Sequence, residues 1–278
     1  MTTVMVAALT SDEECRGVNQ RPGANHDWRN AFAPLGIAAV GTAGVLLSSR
    51  LWPESGAMPP VLGKWTPLLL KGFAVDLAIL SASMVLGTFL GLILGLALLS
   101  RSRLVRWPVL PLVQLLRNSP GLVFLFFVAF ALPFKFTFFG LVVPFPGWSK
   151  VIFSFALKIS ASVAEILCGA VQSIGKGQWE AAAALGLSRG QTLKLIIVPQ
   201  CLPRMLPPWM NIVAIFLAAV PMASLVGVYD AVTYAGLAIK AEQRADLIIP
   251  VYAYATAWFF AIGYLLHQIT IAAEKRGR

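Results

Sequence analysis

Charged side chains are scarce in this sequence, and their scarcity excludes an ordinary soluble protein. Asp, Glu, Lys and Arg make up 12% of the 278 residues, whereas a soluble domain uses about 25%. Hydrophobic residues make up 58%, and the mean hydropathy is +0.77. Apolar runs of about 17–25 residues form transmembrane helices, because lipid cannot satisfy exposed backbone groups. The composition therefore predicts an all-α membrane protein with several spans.

Histidine and cysteine are also rare, which excludes several kinds of metal site. The two histidines, His26 and His267, are too far apart in the sequence for a His-x3-His zinc helix. Cys15, Cys168 and Cys201 show no paired spacing, so neither a disulfide framework nor a zinc site is predicted. We expect no metal ligands in this chain.

The signatures of common enzymes are missing too. Gly175-Lys176 resembles part of a phosphate-binding loop, but that motif needs Gly at position 170 and Ser or Thr at position 177. The sequence has Ala and Gly there, and it contains no Gly-x-Ser-x-Gly elbow. We predict no catalytic residue and no cofactor in this chain. Any active transport must therefore draw its energy from a partner.

The basic residues behind the net charge of +10 gather in three segments, at 101–106, 176–204 and 275–278. These segments fall in alternate loops between the predicted spans. That is the pattern of the positive-inside rule, not of a nucleic-acid surface. Asp12-Glu13-Glu14 interrupts the short apolar N-terminus, so no cleaved signal peptide is expected. Six spans place both termini in the cytoplasm.

The chain divides into a polar tail at 1–30, an additional helix at 31–49, a loop at 50–67 and a long apolar region at 68–278. We interpret 31–47 as a membrane span, with a helix lying on the membrane surface as the alternative. Four prolines predict that the loop is extended. The other spans are predicted at 73–99, at 109–134 with an interruption at Arg117–Pro120, at 151–174, at 211–228 with a break at Pro221, and at 248–271.

Glycines and charges within these spans indicate packing and candidate function. Gly87-x3-Gly91-x3-Gly95 predicts a close approach of a neighbouring helix. Asp76 lies near an outer end, where we expect a hydrated interfacial carboxylate. Lys158 and Glu165 are seven residues apart and share a helix face. Charges at membrane depth are functional candidates, and a self-sufficient carrier or channel would use all three residues.

The segment at about 175–204 has a distinctive layout. Gln178–Leu185 is rich in alanine, the best helix former, and Glu180 near its start suits the positive end of the helix dipole. Gly186 is predicted to end this helix, and Ser188 to cap a second short helix through about Leu195. Pro199 is then expected to turn the chain back toward the membrane.

Glu180, Ala181, Ala182, Gly186 and Pro199 follow the spacing EAA-x3-G-x9-I-x-(L/V)-P. This layout resembles the cytoplasmic loop by which permease subunits of ATP-binding-cassette importers contact their ATPase. The neighbouring residues resemble the polar amino acid permeases of the histidine/glutamine type, from about residue 68 to the end. The matching segments include Ala164-Glu165-Ile166, Gly177–Ala182, Ala184–Ser188 and Val198-Pro199-Gln200.

The resemblance implies a type I importer permease fold, with a five-helix core and one extra N-terminal helix. It also implies a bacterial inner membrane, in which two such permeases, or this chain and a related one, form the pore. Two ATPase subunits would hold ATP and Mg²⁺, and a periplasmic binding protein would deliver the substrate. Residues 180–186 would be the coupling helix, and rigid-body alternation would open and close the gate.

One departure from the family concerns the substrate path. Many members carry Lys-Asp-Thr-Ser-Leu where this chain has Ala218-Ala219-Val220-Pro221-Met222. The loss of two charges argues against a strongly charged amino acid as substrate, and an amino acid derivative such as an opine also fits. We expect Asn211, Met222 and Ser224 to line the path, with ordinary helix packing as the alternative.

Overall fold

The computed structural model describes residues 58–100, 102–138 and 141–276, so the predicted tail at 1–30 and the predicted span at 31–47 lie outside it. Four of the described helices are long and apolar enough to cross a membrane, and a bent helix pair gives a fifth candidate. The helical membrane fold is thus confirmed. The helices are α1 (Met58–Leu98), α2 (Arg103–Asn118), α3 (Gly121–Ala131), α4 (Gly147–Gln172), α5 (Lys176–Ala184), α6 (Arg189–Thr192), α7 (Val198–Ala219), α8 (Ala231–Glu242) and α9 (Ile248–Arg276).

Helix α1 begins earlier than the sequence predicts. It is continuous over 41 residues, so the extended loop predicted at 50–67 is wrong from Met58 onward. Pro59 and Pro60 lie in the first turn, where a backbone N–H has no intrahelical partner to lose. Pro67 lies inside the helix, at the cost of one backbone hydrogen bond. Prolines that break a soluble helix are tolerated here within a long apolar segment.

The predicted interruption at Arg117–Pro120 is a sharp bend. Helices α2 and α3 meet at 109°, and Ser119 and Pro120 both have extended backbone angles. Proline has no N–H to donate and disfavours the helical conformation of the residue before it, and the helix ends at Asn118. The span predicted at 109–134 is therefore a broken pair.

A short β-hairpin follows α3 and corrects the all-α prediction. Strand β1 (Lys135–Phe138) pairs antiparallel with β2 (Leu141–Pro144), and Phe136 lies opposite Val143. No strand is predicted between the spans at 109–134 and 151–174. The alternation of aromatic and β-branched residues within 135–143 explains the pairing.

Helices α1 and α4 form the centre of the fold through the three predicted glycines. A Cβ added at Gly87, Gly91 or Gly95 would lie 2.6–2.8 Å from Ile159, Val163 or Leu167 respectively, which is too close for any side chain. The small-residue face is thus confirmed as a packing surface. Around it lies the main buried cluster, to which α1, α4 and α7 all contribute.

Helix α7 also runs through several prolines. The chain is helical from Val198 through Pro203, Pro207 and Pro208 to Ala219. The predicted start of this span at 211 is therefore wrong, and the helix begins about three turns earlier. The predicted break at Pro221 is present as a change to a 3₁₀ helix over Val220–Val226.

Candidate functional site

The alanine-rich helix α5 ends in a Schellman motif, which positions the chain that follows it. Gly186 has φ +73°, a left-handed conformation that glycine adopts without strain. The Leu187 N–H donates to the Ala182 carbonyl at 3.1 Å, and the Gly186 N–H donates to the Ala183 carbonyl at 3.0 Å. These two bonds satisfy carbonyls at the helix end. The prediction that Gly186 ends this helix is confirmed.

The second helix begins with the predicted cap. The Gln191 N–H donates to Ser188 Oγ at 3.4 Å, and the Ser188 N–H donates to Gln191 Oε1 at 2.8 Å, which together form a capping box. The predicted end near Leu195 is wrong, because α6 continues through a π-helical turn at Leu193–Ile197 into α7. Pro199 therefore does not turn the chain, and it lies in the first turn of α7.

The outer surface of α5 is exposed and small, with one large apolar residue at its end. Glu180, Ala181 and Ala183 are exposed, whereas Ala182 is fully buried. Leu185 is 76% exposed and directly precedes Gly186. Leu185 is not among the predicted site residues, although a leucine at the end of an alanine-rich helix is a signal visible in the sequence. The exposed part of α5 therefore carries small side chains on both sides of Ala182, with an exposed leucine at the end of the helix.

The segment from α5 to α6 is attached firmly to the spans. Trp179 packs against a buried cluster that includes Val171 of α4 and Cys201 of α7. Arg204 of α7 donates to both the carbonyl and the hydroxyl oxygen of Ser173, each at 2.8 Å. A displacement of α5 would therefore be transmitted to α4 and α7 through packed side chains.

The residues proposed for the substrate path are not all alike. Asn211 is exposed, and Met222 lies eleven residues further along and is 36% exposed. Asn211 and the exposed Ala218 are two turns apart on one side of α7, whereas Met222 lies beyond α7 in the 3₁₀ helix Val220–Val226. Ser224 is half-buried, and its hydroxyl donates to the Pro221 carbonyl at 2.8 Å. That bond stabilises the 3₁₀ turn.

Lys158 reaches the break between α2 and α3. Its Nζ donates to the Leu116 carbonyl at 2.9 Å, to the Ser119 carbonyl at 2.6 Å and to Ser119 Oγ at 3.2 Å. These bonds satisfy carbonyls that the end of α2 leaves without intrahelical partners. The sequence does not show this contact, because the partners are about forty residues apart.

Glu165 and Arg117 form an ion pair between α4 and α2, with 53% and 47% of their side chains exposed. Lys158 precedes Glu165 by two turns on the same face of α4, as predicted. The structure therefore brings Lys158, Glu165 and Arg117 to the same side of the broken pair.

Asp76 lies elsewhere and is not the hydrated carboxylate that the sequence suggests. It is 1% exposed, and its Oδ2 accepts a hydrogen bond from the Ala231 N–H at 3.1 Å. Asp230, which is fully buried, caps α8 by accepting from the Thr233 N–H at 2.7 Å. The burial of Asp76 between α1 and the start of α8 depends on the tertiary structure. The position of Asp76 near the end of a predicted span could therefore not reveal it.

Comparison with known proteins agrees with this architecture. The family described as "Binding-protein-dependent transport system inner membrane component" matches residues 87–273. The "Probable amino-acid ABC transporter permease protein YckA" of Bacillus subtilis (strain 168) is 36% identical over 61% of this chain and 72% of its own length. The "Glutamine transport system permease protein GlnP" of Escherichia coli (strain K12) is 30% identical, covering 82% of this chain and 96% of the relative.

Solved structures share the fold at lower identity. A crystal structure of an amino acid ABC transporter with histidines aligns with a TM-score of 0.69 at 24% identity, over 77% of this chain and 96% of that chain. An inward-facing structure of the MetNI methionine ABC transporter aligns with a TM-score of 0.55 at 22% identity, over 75% of this chain and 97% of that chain. Both alignments support a type I importer permease fold.

Proposed function

Because the chain belongs to the family of binding-protein-dependent transport system inner membrane components, we propose that it is the permease subunit of an ATP-driven importer for amino acids or close derivatives, such as opines. A permease of this family is a transport component, and the ATPase is a separate subunit. The names of YckA and GlnP support an amino acid as the substrate class. The lack of charge at Ala218-Ala219 favours a substrate without a strongly charged side chain.

We propose that residues 180–186 dock onto the ATPase. The observation that carries this proposal is the Schellman end of α5, which holds the exposed Leu185 beside Gly186 at φ +73°. The small side chains of Ala181 and Ala183 allow a close approach of a partner surface, and Leu185 supplies apolar area for a pocket. Glu180 adds an exposed carboxylate in the middle of α5, because the helix begins at Lys176 and not, as predicted, near Gln178.

The attachment of α5 supports a mechanical role in transport. Trp179 connects the docking segment to the ends of α4 and α7, and Arg204 joins those two ends to each other through Ser173. In the proposed cycle, ATP binding and Mg²⁺ in the partner ATPase close the ATPase dimer and displace α5. The displacement then changes the arrangement of α4 and α7 as rigid bodies, which opens the gate on the opposite side.

The proposed assembly contains two permease subunits, two ATPase subunits and a periplasmic substrate-binding protein in a bacterial inner membrane. The path residues in this proposal are the exposed Asn211 on α7, and the exposed Met222 and the half-buried Ser224 in the 3₁₀ helix that follows α7. We also propose that 31–47 is an additional span after a cytoplasmic tail at 1–30, and that both termini are cytoplasmic. A self-sufficient carrier is less well supported, because Asp76 is enclosed between α1 and α8.

Substitution of Gly186 tests the proposal. Arginine at φ +73° is strained, so Gly186→Arg should displace Leu185 and abolish ATP-driven uptake while the protein remains inserted. Asparagine tolerates the left-handed conformation, so Gly186→Asn should retain part of the uptake. Gly177→Ala, with no atom within 4 Å of the added Cβ, is the matched control. Normal uptake by Gly186→Arg would contradict the docking role.

A further inference from the structure

Lys158 lies close to the middle of a helix that is long enough to span the membrane. Helix α4 runs from Gly147 to Gln172, so Lys158 is about 16 Å from one end and about 21 Å from the other. A charged side chain near the bilayer centre costs about 3 kcal/mol or more unless it faces protein or water. The Lys158 side chain is only half-buried, so its surroundings in the assembly decide this cost.

A polar strip continues from Lys158 toward the docking segment. The half-buried Ser162 and the exposed Glu165, Gly169 and Gln172 follow at alternating spacings of four and three residues, which place them on one face of α4. No atom lies within 4 Å of a Cβ added at Gly169, so the strip is open along this stretch. We call residues 158, 162, 165, 169 and 172 the α4 polar strip.

Helix α4 cannot rotate to bury the α4 polar strip, because another face of the helix packs against α1. Ile159 and Val163 occupy the space that Gly87 and Gly91 leave open. The strip must therefore contact lipid, a partner or water. Lipid would leave the half-exposed Glu165–Arg117 pair without polar neighbours, and this arrangement is strongly unfavourable.

The positive charges at the break between α2 and α3 outnumber the negative charges. Lys158 and Arg117 contribute two positive charges, and Glu165 contributes one negative charge. The Lys158 ammonium is bonded to three oxygens, all of them uncharged. A carboxylate is a stronger acceptor than an uncharged carbonyl, so an anionic group that reached this point would displace one of them.

We propose that the α4 polar strip lines the solute path, and that Lys158 binds the α-carboxylate of the transported amino acid at the break between α2 and α3. This inference rests on the proposed function. Transport sites near the membrane midplane at discontinuous helices are a general solution, because broken helices expose polar backbone inside the protein.

Cysteine labelling tests whether the strip faces water. In a version with Cys15, Cys168 and Cys201 changed to serine, Ser162→Cys and Gly169→Cys should react with a negatively charged, water-soluble methanethiosulfonate. The matched control is Val85→Cys, at a position 74% exposed on the apolar face of α1, which should not react. The assay uses the complete transporter in membrane vesicles. The path assignment would be overturned if the strip cysteines reacted as little as Val85→Cys. It would also be overturned if Ser162→Cys formed a disulfide between two copies of the chain.

Protection from labelling tests the role of Lys158. A mixture of the common L-amino acids should slow the labelling of Ser162→Cys, and the same amino acids as α-amides should not. Protection should be lost in Lys158→Met and kept in Lys158→Arg. Equal protection by acids and amides, absence of protection, or protection that persists in Lys158→Met would overturn the carboxylate assignment. ATP-driven uptake is measured in the same vesicles. Uptake that continues while the protection results fail counts against the carboxylate assignment, not against the proposed function.

Discussion

Asp76 and Asp230 form a buried pair of carboxylates that joins α1 to the start of α8. Asp76 accepts a hydrogen bond from the Ala231 N–H, next in sequence to Asp230, and both side chains are almost fully enclosed. One oxygen of each carboxylate, Asp76 Oδ1 and Asp230 Oδ2, has no hydrogen-bond partner in the described part of the chain. Gly72 permits this contact, because a Cβ there would lie 2.5 Å from the Asp230 carbonyl carbon.

This pair predicts a loss of stability at high pH. Burial raises the pKa of Asp230 above its ordinary value of 3.8. The folded state then binds a proton more tightly than the unfolded state, so the free energy of unfolding decreases as the pH rises from about 3.8 through the folded pKa. Asp230→Asn removes this titrating carboxylate, and its amide oxygen can still cap α8 by accepting from the Thr233 N–H. It should increase the stability at high pH by about 1–3 kcal/mol and flatten the pH dependence.

Glu242 is the control for this measurement, because its contribution to stability depends on pH with the opposite sign. Hydrogen bonds from Lys64 and Trp65 lower the pKa of Glu242 below its ordinary value of 4.5. Its contribution to stability is therefore lost as the pH falls. Thermal unfolding of the detergent-solubilised protein over a pH series should show that Glu242→Gln leaves the decline at high pH unchanged. A decline that survives in Asp230→Asn would contradict the prediction.

The features that the sequence predicts correctly are those with local causes. Gly186 and Ser188 act within one helical turn, so their roles at the helix ends follow from residue type and spacing. The repeat of Gly87, Gly91 and Gly95 predicts a close approach because only small residues recur on that face. Its partner, α4, is not encoded in the repeat.

The features that the sequence does not predict depend on tertiary surroundings. Proline-rich segments in α1 and α7 are helical because their apolar neighbours favour a continuous span over an exposed backbone. Asp76 and Lys158 find partners at positions distant in sequence, Ala231 and Ser119. Their positions in the spans are predictable, but their contacts require the packed structure.

The N-terminal region offers a test of topology. If 31–47 spans the membrane from a cytoplasmic tail, a reporter fused near Gly56 lies outside. Alkaline phosphatase, which is active only outside the cytoplasm, should then be active when fused near Gly56 and inactive when fused after Arg278. Alkaline phosphatase activity in the fusion after Arg278, or its absence in the fusion near Gly56, would refute the predicted span or the predicted orientation.

The contact of α1 with α4 predicts a large difference between two glycine substitutions. A Cβ at Gly91 would lie 2.6 Å from the Val163 Cβ and 2.7 Å from the Ser160 carbonyl oxygen, so the two helices must separate. Gly91→Ala should therefore destabilise the fold by about 1–3 kcal/mol. Gly169→Ala, on the open side of α4, should be neutral or stabilising by up to about 1 kcal/mol through helix propensity. Thermal unfolding in detergent compares the two, and equal midpoints would show that α1 does not rely on this close approach.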